Sequence, residues 1–314
     1  NHGGSRWCRL QAANRRSNVR SEWTDVSAQE GRCQSVSLGA PGRPGPLRFG
    51  WRPVVTGEEH GILMLVTPAF LDHLIVAVLV LVVPWMAHLE YRRLRQALAA
   101  GDQGARLRAY RQTVVVQWGF TVALVGYWLW SGRSLPALGL SWSPSVGLAI
   151  GLGLSLVASS LLVAQVSAVR RQPAARASVR AQIGALRPLL PHTAQEGRWF
   201  SAVSVTAGTC EEVVFRGFLM AYFSPLGVIA AIVLSTLVFG LSHAYMGREG
   251  ATRATVVGLV AAGLYWLTGS LWASMLLHVT ADVTSGLMAR LSFAEGGCEP
   301  GSGGAGPEDA TGSR

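Results

Sequence analysis

VTPAFLDHLIVAVLVLVVPWMA, residues 66–87, decides the architecture of this chain. Crossing a hydrocarbon core of about 30 Å takes about 20 mainly apolar residues in a helix. This run supplies 22 and interrupts them only with Asp72 and His73 near one end, where water is close. We assign those two no role. Working outward, further apolar runs follow at 113–130, 146–169, 199–221, 226–243, 253–268 and 271–290. The expectation is an all-α, polytopic membrane helix bundle of about seven, and up to eight, transmembrane helices.

Composition agrees. The chain has 314 residues, 50% of them hydrophobic and only 14% charged, against about 25% charged in soluble domains. That excludes both a soluble cytosolic enzyme and a chain disordered throughout. The formal charge of +10 comes entirely from arginine, because no lysine occurs. Arginine placement explains it. The loops 90–112 (Arg92, Arg93, Arg95, Arg106, Arg108, Arg111), 170–198 (Arg170, Arg171, Arg176, Arg180, Arg187, Arg198) and 244–253 (Arg248, Arg253) hold fourteen, and the alternate loops hold only Arg133. The positive-inside rule puts the first set in the cytoplasm. The basic partner is then an anionic membrane surface and not a nucleic acid. We expect an integral protein of a bacterial plasma (inner) membrane, its oligomeric state unknown.

Residues 1–63 are read as disordered or as an over-extended reading frame, with translation starting at Met64. Residues 64–180 hold the N-terminal transmembrane helices, 185–290 a catalytic domain, and 295–314 a disordered, Gly-rich tail. Cys8, Cys33, Cys210 and Cys298 show no metal-ligand spacing. Gly147, Gly151 and Ser155, and again Ala254, Gly258 and Ala262, repeat small residues at four-residue spacing. Such faces let helices approach closely in lipid. Trp199, Trp266 and Trp272 sit near span ends as interfacial anchors.

The last four runs carry ionisable groups, each costing about 2.5–3.5 kcal/mol at the centre of a span for Asp, Lys or Arg. The fourth reads TAGTCEEVVFRGFLMAYF with Glu211, Glu212 and Arg216. The fifth ends in VFGLSHAY with Phe239 and His243, and the seventh contains SMLLHVTADVTSG with His278 and Asp282. Spacing of i,i+4 pairs Glu212 with Arg216 on one helix face, and His278 with Asp282 on another. Glu211 lies about 100° round from Glu212 and is left over. A free carboxylate and an imidazole can hold and deprotonate a water. A second imidazole and a carboxyl can stabilise an oxyanion, or all four groups can ligate a metal.

EEVVFR matches EExxxR, FGLSH matches FxxxH, and HVTAD matches Hxxx(N/D). In that order on three membrane helices, with LLPHTAQEGRWF leading in, they resemble the CPBP intramembrane proteases, the family of type II CAAX prenyl endopeptidases and bacteriocin-processing or immunity (Abi) proteins. The resemblance covers about residues 185–290. It implies hydrolysis of a peptide bond in a membrane-protein or lipidated-peptide substrate. By that resemblance Glu211 activates the water, His243 helps bind it, and His278 and Asp282 stabilise the oxyanion. Glu212, Arg216 and Phe239 are supporting residues. The family is often labelled metalloprotease, but HExxH is absent. We therefore expect no cofactor, with zinc on Glu211, His243, His278 and Asp282 as the alternative. Two other classes stay open, a proton-coupled transporter and a catalytically idle immunity or scaffold protein.

Overall fold

In the computed structural model the described residues are 68–293. The readings of residues 1–63 and 295–314, and the start at Met64, lie outside them. Among the described residues the chain is all helical. Helix α1 spans Phe70–Ala99, α2 Ala105–Trp130, α3 Val146–Arg171 and α4 Pro173–Ile183. Helix α5 is continuous through Ala194–Glu211, Glu212–Leu219 and Met220–Phe223. Then come α6 Val228–Ser242, α7 Gly247–Thr268 and α8 Trp272–Phe293.

Each apolar run has its helix, and most of the helices outrun the apolar stretches at one end or both. Helices α1 and α2 extend so far that the 90–112 loop shrinks to a turn at Ala100–Gly104, and its arginines sit on helical ends. The segment 170–198 also contains α4, whose Arg180 donates to the Ser292 carbonyl of α8 at 3.1 Å. Four helical stretches are long and apolar enough to cross a bilayer alone: Phe70–Ala99, Ala105–Trp130, Val146–Arg171 and Ala244–Thr268. Helix α6 is apolar but only 15 residues long. At 1.5 Å per residue that is about 22 Å, short of a full span. Charge dilutes the apolar character of α5, which contains Glu211, Glu212 and Arg216. The helices that carry the polar motifs are thus those that could not sit alone in lipid.

Packing follows from this division. Apolar side chains such as Leu81, Trp85, Val115, Ile150, Leu161 and Ile229 point outward, the surface expected of an integral membrane protein. The centre of α5 is buried on all sides from Glu212 to Ala221. One apolar cluster joins Leu79 of α1, Leu124 and Trp128 of α2, Phe215 and Phe218 of α5, and Phe239 of α6. Both α1 and α5 widen to π-helical hydrogen bonding inside this cluster, at Val78–Val82 and Glu212–Leu219. Such insertions are frequent at functional sites.

The small-residue face of α3 packs as expected. A Cβ on Gly147 would come within 2.8 Å of the Leu267 carbonyl of α7, and one on Gly151 within 2.2 Å of Thr268. Ser155 donates to the Ala273 carbonyl of α8 at 2.8 Å. At one end of the bundle the 131–145 and 269–271 connections meet, Leu271 N–H donating to the Gly139 carbonyl at 3.0 Å. There Arg133 makes a bidentate pair with Asp72, whose Oδ1 also accepts from Tyr127 at 3.1 Å and whose Oδ2 accepts from Ala69 N–H at 2.7 Å. At the other end the three arginine-rich connections converge, with Arg106 of α2 donating to the Pro188 carbonyl at 3.1 Å. Glu196 closes a capping box with Thr193 at the start of α5, and lies 3.6 Å from Arg106. Burial opposes ionisation of Glu196. The N–H groups of His192 and Thr193 and the charge of Arg106 outweigh it and hold the carboxyl below its ordinary range.

Candidate active site

Helix α5 presents two successive carboxylates in opposite circumstances. Glu212 is fully buried and tied down. Its Oε1 accepts from Arg216 Nη1 at 2.9 Å, one π-helical step along the same helix, and from His278 Nδ1 of α8 at 2.8 Å. A carboxylate only accepts, so this contact fixes the proton of His278 on Nδ1 and turns Nε2 outward. Arg216 spends its second nitrogen on the Gly258 carbonyl of α7 at 2.9 Å and lies 4.3 Å from the centre of the Phe239 ring. Gly258 permits both contacts, since a Cβ there would meet Phe239 at 2.8 Å and Arg216 at 3.0 Å. The small-residue reading of Gly258 was packing alone. The structure adds a hydrogen bond to it, because the helices approach closely enough for its carbonyl to be reached.

Glu211, the last α-helical residue before the π stretch, faces the other way. Its Oε1 accepts from Gln117 Nε2 of α2 at 2.8 Å. Its Oε2 is buried and accepts no hydrogen bond. That oxygen lies 3.9 Å from His243 Nε2 and 3.9 Å from His278 Nε2. His243 is the C-terminal cap of α6. Its Nδ1–H donates to the Phe239 carbonyl at 2.8 Å, with the Ser242 hydroxyl 3.1 Å away, so its Nε2 also turns towards Glu211. Asp282 Oδ2 lies 3.7 Å from His278 Nε2, and its side chain is 41% exposed, the most open of the group. Phe239 packs at 4.5 Å from His243 and 6.0 Å from His278, ring centre to ring centre.

The structure therefore brings Glu211, His243, His278 and Asp282 together, with Glu212, Arg216 and Phe239 behind them. Two points differ from the expectation by spacing. The first partner of His278 is Glu212, 66 residues away, and not Asp282 one turn along its own helix. Glu212 is consequently more than the partner of Arg216, because it also sets the ring of His278. Gln117 was not anticipated at all. Its signal was a single amide in the apolar run TVVVQWGF, a group that inside a span needs a partner.

Chemically, one basic oxygen faces two imidazole nitrogens across gaps just too long for direct hydrogen bonds and right for a water held by all three. A tetrahedral zinc needs ligand bonds of about 2.0–2.2 Å, which sets ligand atoms about 3.4 Å apart. The three spacings here, 3.9, 3.9 and 3.7 Å, are wider than that. Among the described residues no three His, Cys, Asp or Glu side chains are placed to hold a metal ion. Cys210 is buried next to the Glu211 carboxylate, a negative neighbour and not the electropositive surroundings that activate a thiol.

No curated protein and no solved structure matches the chain. A family model does, that of the Rce1-like type II CAAX prenyl endopeptidases, over residues 195–284. The segment that carries Glu211, His243, His278 and Asp282 is thus similar to the CPBP/CAAX proteases, whose motifs it repeats.

Proposed function

We propose that the chain is an intramembrane endopeptidase that hydrolyses a peptide bond of a membrane-anchored substrate with water activated by Glu211. The observation that carries this is Glu211 Oε2, buried, unbonded and 3.9 Å from both His243 Nε2 and His278 Nε2. A water in that gap donates one proton to Glu211 and one to His243, leaving a lone pair for the carbonyl carbon. As the C–O bond forms, Glu211 takes the proton and the carbonyl oxygen becomes an oxyanion. His278, protonated on both nitrogens in the working state, gives Nδ1–H to Glu212 and points Nε2–H at that oxyanion. Asp282 donates a second hydrogen bond in its protonated form. Collapse breaks the C–N bond, and Glu211 returns its proton to the leaving amine. Gln117 holds Glu211 throughout by its other oxygen.

This reading uses no metal; in its support, the donor atoms stand 3.7–3.9 Å apart, against about 3.4 Å between the ligands of a tetrahedral zinc. It places the arginine-rich end of the bundle in the cytoplasm of a bacterial cell, so reporter fusions near residues 100 and 185 read internal and those near 138 external. The test is cleavage of a membrane-anchored reporter by the protein reconstituted in vesicles. Wild type cleaves, Glu211→Ala does not, and exhaustive chelation leaves the rate largely intact. A transporter or an idle scaffold cleaves with neither form, and inhibition by chelator that zinc reverses establishes the metal mechanism instead. Asp282→Asn keeps substantial activity and extends it to higher pH, while Asp282→Ala loses about 10²–10³ in rate. An Asn variant that folds and fails as badly as Ala refutes the protonated Asp282.

A further inference from the structure

Helix α6 is tied to the π-helical stretch of α5 by a hydrogen bond to the main chain. The hydroxyl of Ser235, 1% exposed, donates to the Phe215 carbonyl at 2.5 Å. Phe215 lies inside that stretch, between Glu212 and Arg216. Ser235, Phe239 and His243 follow one another at four-residue intervals, so they share one face of α6. On that face the Phe239 ring meets the Phe215 ring edge-on at 5.0 Å, and His243 faces Glu211.

A buried hydroxyl on a helix commonly returns its hydrogen bond to a carbonyl one turn back on its own helix. Ser204 does so with Phe200 at 2.9 Å, and Thr284 with Thr280 at 2.7 Å. Ser235 reaches instead to another helix, at a carbonyl whose segment is not wound as α. The widening in α1 has a local cause: Pro84 follows Val78–Val82 by two residues and has no N–H to give. The widened stretch of α5 contains no proline. In ordinary winding the Phe215 carbonyl would accept from the N–H four residues on. A partner on α6 satisfies that carbonyl whatever the winding of α5, and so removes part of the advantage of the α form.

The polar cluster depends on that winding. Glu212 and Arg216 pair within the π stretch, and Glu212 in turn sets the ring of His278. The height of α6 against α5 sets the 3.9 Å between Glu211 Oε2 and His243 Nε2. The bond from Ser235 bears on both. Resting on the endopeptidase reading, we propose that Ser235 is a positioning residue, which through the Phe215 carbonyl keeps α5 in its π winding and α6 in register with it, so that Glu211 and His243 face one water. It acts through the backbone of α5 and not on the substrate. Misplacing reacting groups by about 1 Å from a distance can cost about 10²-fold in rate, so the loss of this bond is visible in turnover.

The test reads winding and rate separately, on full-length protein. Ser235→Ala removes the donor and adds no bulk. Its kcat on the membrane-anchored reporter should fall about tenfold with KM unchanged. The backbone amides of 216–220 should exchange with deuterium about tenfold faster. Ser235→Cys, a weaker donor of similar size, should lie between wild type and Ser235→Ala in both. Ser204→Ala is the control, because Ser204 is also 1% exposed but its hydroxyl serves its own helix. That variant should lower the melting temperature about as much, while kcat and exchange at 216–220 stay as in wild type.

An unchanged kcat per folded molecule in Ser235→Ala overturns the proposal, whatever the exchange shows. Equal losses of kcat in the two alanine variants overturn it as well, because stability alone then explains both. A lowered kcat with unchanged exchange at 216–220 refutes the hold on π winding and with it the proposal. No cleavage by wild type overturns the endopeptidase reading instead, and faster exchange at 216–220 in Ser235→Ala then preserves the hold of Ser235 on α5.

Discussion

Two buried ion pairs lie in this bundle, Asp72–Arg133 at one end and Glu212–Arg216 at its centre. Both are almost fully enclosed. In the first, every strong group is answered from nearby: two arginine nitrogens, a tyrosine hydroxyl and a backbone N–H surround one carboxylate. Nothing is left over. In the second, the carboxylate shares a single oxygen between Arg216 and His278, and its neighbour Glu211 keeps an oxygen with no partner. Saturation marks a lock, and a controlled surplus marks a place where chemistry is done. Buried pairs as such stabilise little, but breaking one by removing a single partner costs about 3–5 kcal/mol.

The comparison breaks most sharply on rate. Glu211→Gln should lower reporter cleavage by about 10²–10⁴ with an unchanged melting temperature in micelles, whereas Asp72→Asn should lower the melting temperature and leave turnover per folded molecule untouched. A second experiment separates stability from function inside the pairs. Asp72→Leu, Arg133→Leu, Glu212→Leu and Arg216→Leu should each cost about 3–5 kcal/mol. Combining the two members of a pair should recover most of that loss at both places. Activity should return only for the Asp72/Arg133 double variant, because the other leaves His278 Nδ1 without its acceptor. If both doubles are active, Glu212 is a lock like Asp72.

Smaller effects sharpen the same distinction. Gln117→Leu should reduce turnover about tenfold, since Glu211 loses the hydrogen bond that orients its carboxylate. Gln117→Asn should recover part of that rate, and a lowered melting temperature with unchanged turnover per folded molecule would make Gln117 a packing residue. The smallest effect belongs to Glu196. Its carboxyl is held below the unfolded value of about 4.3. Its contribution is therefore fully present above that pH and fades as pH falls through the lower, folded value. The melting difference between wild type and Glu196→Gln should be constant from pH 5 to 7 and shrink below about pH 4.

What could be read from the sequence divides along a physical line. An ionisable group in an apolar run is conspicuous wherever its partner lies, because the cost of placing it there is local. Glu211, Glu212, Arg216, His243, His278 and Asp282 stood out for that reason, and the helices did because apolar length is local too. Pairings between distant segments were not legible. Gln117 meets Glu211 across 94 residues and Arg133 meets Asp72 across 61. In the sequence Asp72 shows no role and Arg133 reads only as a stray loop charge, since neither residue carries any mark of the other. Helix α4 is hidden for the opposite reason, because an arginine-rich stretch whose apolar face is only Ala175, Val179 and Ile183 reads as loop.

The π-helical stretch Glu212–Leu219 has a consequence for how this chain can vary. A π turn holds more residues than an α turn at the same place, so it is a site where a helix has absorbed an extra residue without breaking. Deleting one residue among Val213, Val214 and Phe215 would let α5 relax to ordinary winding and still cross the bundle. Arg216 would then be drawn one position towards Glu212 and rotate off it by about 100°, away from Gly258 and the Phe239 ring. The helix tolerates that loss and the polar cluster does not. Insertions and deletions in this protein should therefore be forbidden in the middle of its best-formed helix and permitted in its loops, an inversion that a scan of single-residue deletions would reveal directly.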